Sequence, residues 1–145
     1  MTPERIRTVQ STWVKVLPIK HLAAQLFYIR LFEIDPSLRA LFQSDQRQQG
    51  EKLMLVIDAA VNGLSRLERI TAAIQELGKR HVDYGVKDHD YDAVGAALLW
   101  TLDTTLGAEF TPEARDAWTA VYEALAATMR EAAATSRVRN ALTAP

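Results

Sequence analysis

Apolar residues in this chain recur at the helical period in segment after segment, and no stretch alternates with a period of two. Ile6, Val9, Trp13 and Val16 form the first stripe. It starts at Thr2-Pro3, a cap followed by proline at the first helical position, and stops at Pro18. Ala24, Tyr28 and Leu31, with Phe27 and Phe32 beside them, mark a second helix from about His21 to Ile34. Asp35-Pro36 breaks it, because proline disfavours helix in the residue before it. A short third helix, Pro36 to Phe42, leads into a polar loop, Gln43 to Gln48. Gln49, Leu53, Val56, Ile57 and Ala60 then predict a helix from about Gln48 to Leu64. Ile70, Ile74, Leu77, His81 and Tyr84 predict the next, from about Glu68 to Tyr84, capped by Gly85. Tyr91, Val94, Leu98, Leu102 and Leu106 mark another, ended by Gly107. Thr111-Pro112 repeats the cap-then-proline start ahead of Ala114, Trp118, Val121, Tyr122, Leu125 and Met129. From about Glu131 the residues turn Ala-rich and polar and are expected to fray, with 136–145 a flexible tail behind a domain of residues 1–135. The predicted class is therefore all-α: about six long helices and a short third one, packed stripe against stripe.

The length, 145 residues, suits one domain with a substantial core. A net charge of −1, with both signs mixed along the chain, offers no basic block to nucleic acid. The absence of cysteine excludes disulfides, thiolate metal sites and a cysteine nucleophile. It fits a reducing cytoplasm, where the protein is expected to reside. The N-terminus has no apolar signal core, and no run of about 18 apolar residues would span a membrane. His21 and His89 fall in polar surroundings, and the three histidines lack the spacing of a multi-histidine zinc site.

Three polar residues interrupt the apolar stripes of three different helices: Tyr28, Gln49 and His81. On its own, His81 is either a hydrogen-bonded core histidine or the axial ligand of a metal held in an apolar slot, since neutral imidazole is the commonest protein metal ligand. Gln49 heads its stripe, so it points at something polar in the core, lies near a pocket mouth, or is a partly exposed first-turn residue; a buried amide without partners costs roughly 1–3 kcal/mol. A haem gives these residues, with Phe42, a common explanation. The planar cofactor fills a slot between two helices, a histidine approaches from one side, and polar donors meet a diatomic ligand on the other.

Several stretches resemble the bacterial single-domain globins of the flavohaemoglobin-like family. They are Phe27-Tyr28-x-x-Leu31-Phe32, Asp35-Pro36-x5-Phe42, Gln49-x-x-Lys52-Leu53-Met54, Leu77-Gly78-x-Arg80-His81-x-x-Tyr84-Gly85-Val86, Tyr91-x-x-Val94-Gly95-x-x-Leu98-Leu99 and Ala117-Trp118-x3-Tyr122. The resemblance covers roughly Trp13 to Met129 and implies a globin fold around haem b. His81 matches the proximal iron ligand, its other ring nitrogen donating to a backbone carbonyl near Leu77. Tyr28 and Gln49 match the distal donors, which suit the partial negative charge on bound oxygen. Leu53 matches the apolar residue that limits ligand space. Phe42 matches the phenylalanine packed on the haem plane, and Lys52, Val86, Tyr91 and Val94 are expected to line the cofactor, with Lys52 reaching toward a propionate or lying solvated.

The chain departs from that family twice. A proximal glutamate there polarises the histidine together with a tyrosine matched by Tyr91. Counted from Trp118 and Tyr122, the glutamate position falls on Ala133; counted from His81, it falls on Glu131. The first count is adopted, which weakens any case for strong oxygen activation. Secondly, flavohaemoglobins carry reductase domains, whereas here the globin occupies nearly the whole chain and no glycine-rich phosphate loop follows. The resemblance thus implies reversible binding of oxygen, nitric oxide and carbon monoxide, serving nitric oxide detoxification. The alternatives are a nitric oxide dioxygenase fed by an external reductase, or a gas-sensing module. A monomer or weak dimer without nucleic-acid or membrane partners is expected.

Overall fold

The computed structural model describes residues 2–42 and 45–143, and only the backbone of Leu67, Glu68 and Thr143. Six α-helices follow in order: α1 (Pro3–Val16), α2 (Lys20–Ile34), α3 (Gln46–Gly63), α4 (Leu67–Asp83), α5 (Asp90–Leu106) and α6 (Pro112–Thr143). The short third element is a 3-10 helix, Pro36–Leu41. The polar loop expected at Gln43–Gln48 falls partly on residues 43 and 44, outside the described residues; residues 46–48 are already the first turn of α3.

The ends of these elements follow from their local chemistry. Thr2 accepts from the Arg5 amide at 3.2 Å ahead of Pro3, and Thr111 accepts from the Ala114 amide at 3.1 Å ahead of Pro112. Asp35 closes α2 and opens the 3-10 helix, its carboxylate accepting from the Ser37 amide (3.0 Å) and hydroxyl (2.6 Å). After α4 the chain reverses through Gly85 at φ +87°, a conformation that an L side chain resists.

Two apolar clusters hold the helices. One joins α1, α3, α5 and α6 around Trp13, Val61, Leu64, Leu102 and Trp118. Both tryptophans are polar-anchored: Trp13 Nε1 donates to Asp58 (2.9 Å) and Trp118 Nε1 to the Thr12 hydroxyl (2.8 Å). The other cluster, Phe27, Tyr28, Leu31, Phe32, Leu38 and Ala97, ties α2 and the 3-10 helix to α5. Leu53 and Leu98 pack against both. Helix α4 packs mainly on α6. Their approach is close because Gly78 has no side chain: a Cβ there would lie 2.5 Å from the Met129 carbonyl oxygen.

The C-terminal part of α6 and Tyr84 differ from the expected pattern. The segment 136–145, expected to be a flexible tail, is helical as far as Thr143; residues 144 and 145 lie outside the described residues. The fraying expected after Glu131 gives way to packing, because Ala132 and Ala133 are buried and Arg137 reaches a backbone carbonyl elsewhere in the fold. Tyr84, placed by period on the core stripe of α4, is 63% exposed. It follows the last α4 residue, where the chain has begun to turn, so the helical period no longer sets its direction.

Candidate functional site

His81 lies in the last turn of α4, whose stripe runs through Ile74 and Leu77. Burial disfavours the imidazolium, so its pKa is lowered and the ring is neutral near pH 7. Its Nδ1 lies 3.2 Å from the hydroxyl of Tyr91 on α5, with the two rings edge to face at 5.8 Å. The expected bond to a carbonyl near Leu77 is therefore replaced. Helix α5 instead brings the Tyr91 phenol to that nitrogen. In the tautomer with the proton on Nδ1, His81 donates to the Tyr91 oxygen and Nε2 presents its lone pair. Nε2 enters none of the hydrogen bonds among the described residues.

Tyr91 is itself held from α6. The Tyr122 hydroxyl donates to its backbone carbonyl at 2.6 Å, and the Arg130 guanidinium sits 5.3 Å from its ring centroid. Burial raises the pKa of both phenols, so both hydroxyls stay protonated. Ala133 is buried and Glu131 is exposed, so the described site offers the histidine a tyrosine oxygen, with no carboxylate from either position.

Tyr28, Phe42 and Gln49 lie on α2, at the end of the 3-10 helix and on α3. Tyr28 is 8% exposed, and burial pushes its hydroxyl pKa up to about 12. That hydroxyl donates to the Gln49 backbone carbonyl at 3.3 Å. The ring meets Phe42 edge to face at 5.2 Å, and Phe42, Leu53 and Val94 pack on the same cluster. Gln49 sits half-buried in the first turn of α3 with its side-chain oxygen buried. A cleft of about 880 Å³ between α2 and α3 is walled by Ala24, Tyr28, Phe32 and Gly50; His81 does not line it.

Of the other expected lining residues, Val86 is half-buried. Its amide bonds the His81 carbonyl at 2.8 Å, and its own carbonyl accepts from Arg137 at 2.9 Å. Lys52 is exposed and enters none of the ion pairs among the described residues. His21 and His89 are exposed, as expected. No motif points to Arg130 or Arg137. The available signal was their spacing from Tyr122, which keeps all three within an arc of roughly 80° on one helix.

A neutral, half-buried imidazole with one nitrogen oriented by a hydroxyl suits an axial metal ligand, and the apolar cluster on which Phe42, Leu53 and Val94 pack is chemically compatible with a flat hydrophobic cofactor. The sequence model of the globin family matches residues 25–129. The chain is a globin. It is similar to the neuroglobin of Tetraodon nigroviridis, 31% identical over 135 residues, which cover 83% of this chain and 85% of that protein. It is also similar to the neuroglobin of Danio rerio (30% over 135 residues, 83% and 85% covered) and to neuroglobin-1 of Oncorhynchus mykiss (29% over 143 residues, 89% and 90% covered). These fish relatives point away from the bacterial flavohaemoglobin-like group and support the wider family. Membership brings haem iron and reversible binding of oxygen and related gases. No helix among the described residues is long and apolar enough to cross a membrane.

Proposed function

We propose that this globin holds haem b through His81 Nε2 and binds oxygen reversibly, with Tyr28 and Gln49 facing the gas and Leu53 limiting its space. The observation that carries the proposal is the pairing of His81 Nδ1 with the Tyr91 hydroxyl, which leaves Nε2 as the ring nitrogen for a metal. The haem supplies the iron at which a diatomic gas binds. His81 remains neutral because it is buried, and Tyr91 fixes its ring and tautomer. Tyr28 keeps its proton at any physiological pH, so it can donate to a ligand that carries negative charge. Phe42, Val86 and Val94 supply apolar walls, and Lys52, on the exposed side of α3, reaches for an acidic edge of the cofactor.

Within this proposal the protein serves nitric oxide detoxification in the cytoplasm as a monomer or weak dimer. Binding is favoured over turnover as a nitric oxide dioxygenase because the count from Trp118 puts Ala133, buried and without a carboxylate, at the expected glutamate position, so His81 would be less electron-donating than in a tyrosine–glutamate pair. Dioxygenase turnover would need an external reductase.

The test is an absorption spectrum of the purified protein, ferric, reduced, and reduced with carbon monoxide, for wild type and His81→Ala. A Soret band that shifts on reduction and again with carbon monoxide, and is lost or altered in the variant, is the expected result. Failure to take up supplied haem overturns the proposal. Rapid re-reduction of the ferric form by a cell extract, with nitric oxide consumed, would move the assignment to the dioxygenase.

A further inference from the structure

Helix α6 reaches the His81 region at three points on one face. Tyr122 donates to the Tyr91 backbone carbonyl. Arg130 lies over the Tyr91 ring and is anchored by Asp92 at 2.7 Å and Asp88 at 3.6 Å, both on or near the start of α5. Arg137 donates to the carbonyl of Val86, whose amide is bonded to the His81 carbonyl. Among the described residues, the two groups that touch His81 by hydrogen bond outside its helix ladder, the Tyr91 hydroxyl and the Val86 amide, are thus held from α6.

We propose that Tyr122, Arg130 and Arg137 form a brace that sets the orientation of His81 toward the haem: Arg130 by holding the Tyr91 ring, Arg137 by holding the Val86 turn. The inference rests on the assignment of His81 as the iron ligand. Arg130 and Arg137 are positioning residues, acting only through Tyr91 and Val86.

The effect of Arg130 is one of position more than of charge. Two carboxylates already offset its guanidinium, and both are well exposed, so they return to solvent when it is removed. What is lost is the cation over the ring, a contact that keeps the phenol beneath it in place. The side chain is two-thirds buried, so solvent does not fully screen that contact.

The experiment uses the haem-loaded full chain in its reduced, ligand-free form and reads the iron–histidine stretching band by resonance Raman. Tyr91→Phe removes the acceptor for His81 Nδ1 and sets the full downward shift, since an imidazole that loses this bond is a weaker donor. Arg130→Met is expected to shift the band in the same direction by part of that amount, and Arg130→Lys by less. Asp92→Asn, at an exposed position, loosens the anchor without emptying the site and gives a smaller shift of the same sign, which keeps the test open if Arg130→Met does not fold. A second readout needs no haem: Arg137→Met is expected to speed hydrogen exchange of the Val86 amide about tenfold, the factor given by loss of one hydrogen bond of ordinary strength. A wild-type band with no shift in the Arg130 and Asp92 variants, or unchanged Val86 exchange in Arg137→Met, overturns the brace and leaves the haem assignment intact. Absence of the band in wild type overturns the haem assignment, and the Val86 exchange then still decides whether α6 holds that turn.

Discussion

Replacing Gly78 by alanine sets two effects of opposite sign against each other. Gly78 lies inside α4, where alanine is favoured over glycine by about 1 kcal/mol because it restricts the unfolded chain. A Cβ at that position, however, would lie 2.5 Å from the Met129 carbonyl oxygen, 2.8 Å from its Cα and 3.0 Å from its carbonyl carbon. Ordinary contact begins near 3.4 Å, so α4 and α6 must part by about 0.9 Å along that line. All three atoms are backbone, and no side chain can rotate aside. Overpacking of this kind costs about 1–3 kcal/mol, and a rigid backbone contact belongs at the upper end. Gly78→Ala is therefore expected to destabilise by about 1–2 kcal/mol net of the helix gain, a fall in Tm of roughly 2–8 °C at this chain length. Urea denaturation followed by circular dichroism measures it, with the slope unchanged if the unfolded state is unaffected. A variant more stable than wild type by about 1 kcal/mol would refute the reasoning, because it would mean that α6 is not at this distance from α4. His81 lies one turn further along the same helix, so the variant should also weaken haem retention.

Three further outcomes are expected. Tyr28→Phe removes the donor proposed to face oxygen and should speed oxygen dissociation about tenfold or more, with a smaller effect on carbon monoxide, which carries less negative charge; equal acceleration of both gases in stopped-flow traces would argue against a hydrogen bond. Trp118→Phe cuts the buried bond to Thr12 and leaves a void between α1 and α6, costing about 2–4 kcal/mol in a denaturation experiment; a loss below about 1 kcal/mol would show that the bond is not formed. The Asp35 carboxyl is held below its ordinary pKa of 3.8 chiefly by the Ser37 hydroxyl, helped by the Ser37 amide and by His89 and Lys87. Below that value the unfolded chain binds the proton more readily than the folded one, so the stability due to Asp35 is present at neutral pH and fades as pH falls through the lowered value. The stability gap between wild type and Asp35→Ala should narrow on acidification below about pH 4, and a gap independent of pH would refute the linkage.

The helices were legible because each announces itself locally. Thr2-Pro3 and Thr111-Pro112 give starts that the amide bonds to both threonines realise, and Asp35-Pro36 gives a stop within one residue of the observed end. Period-3.6 stripes place Trp13, Leu31, Leu102 and Trp118 in the core, where they are found. What was not legible depends on which helix lies beside which. The partner of His81 Nδ1 is decided by where α5 places Tyr91 beside the end of α4, whereas the sequence next to His81 offers an alternative in the backbone of Leu77. The persistence of α6 to Thr143 is decided by contacts at Ala132, Ala133 and Arg137. Composition alone, alanine mixed with polar residues, describes an exposed helix and a frayed end equally well.

The Tyr28 hydroxyl shows why the side chain named by a motif is not always the one that sets its chemistry. Its hydrogen bond runs to the backbone carbonyl of Gln49 at 3.3 Å, long for an O–H···O contact, whose usual distance is about 2.7–2.8 Å. In the role proposed for Tyr28, a ligand must draw the hydroxyl away from that carbonyl, so the stabilisation of a bound gas would be the difference between the two bonds. Because the existing bond is stretched, the difference favours the ligand. The competing acceptor is main chain, so it survives any substitution of the Gln49 side chain. Gln49→Leu therefore removes only the proposed second donor, while Tyr28→Phe removes the proposed first and its competition together. The two variants should then differ in kind: Gln49→Leu should raise oxygen dissociation while Tyr28 still discriminates oxygen from carbon monoxide, and Tyr28→Phe should abolish most of that discrimination.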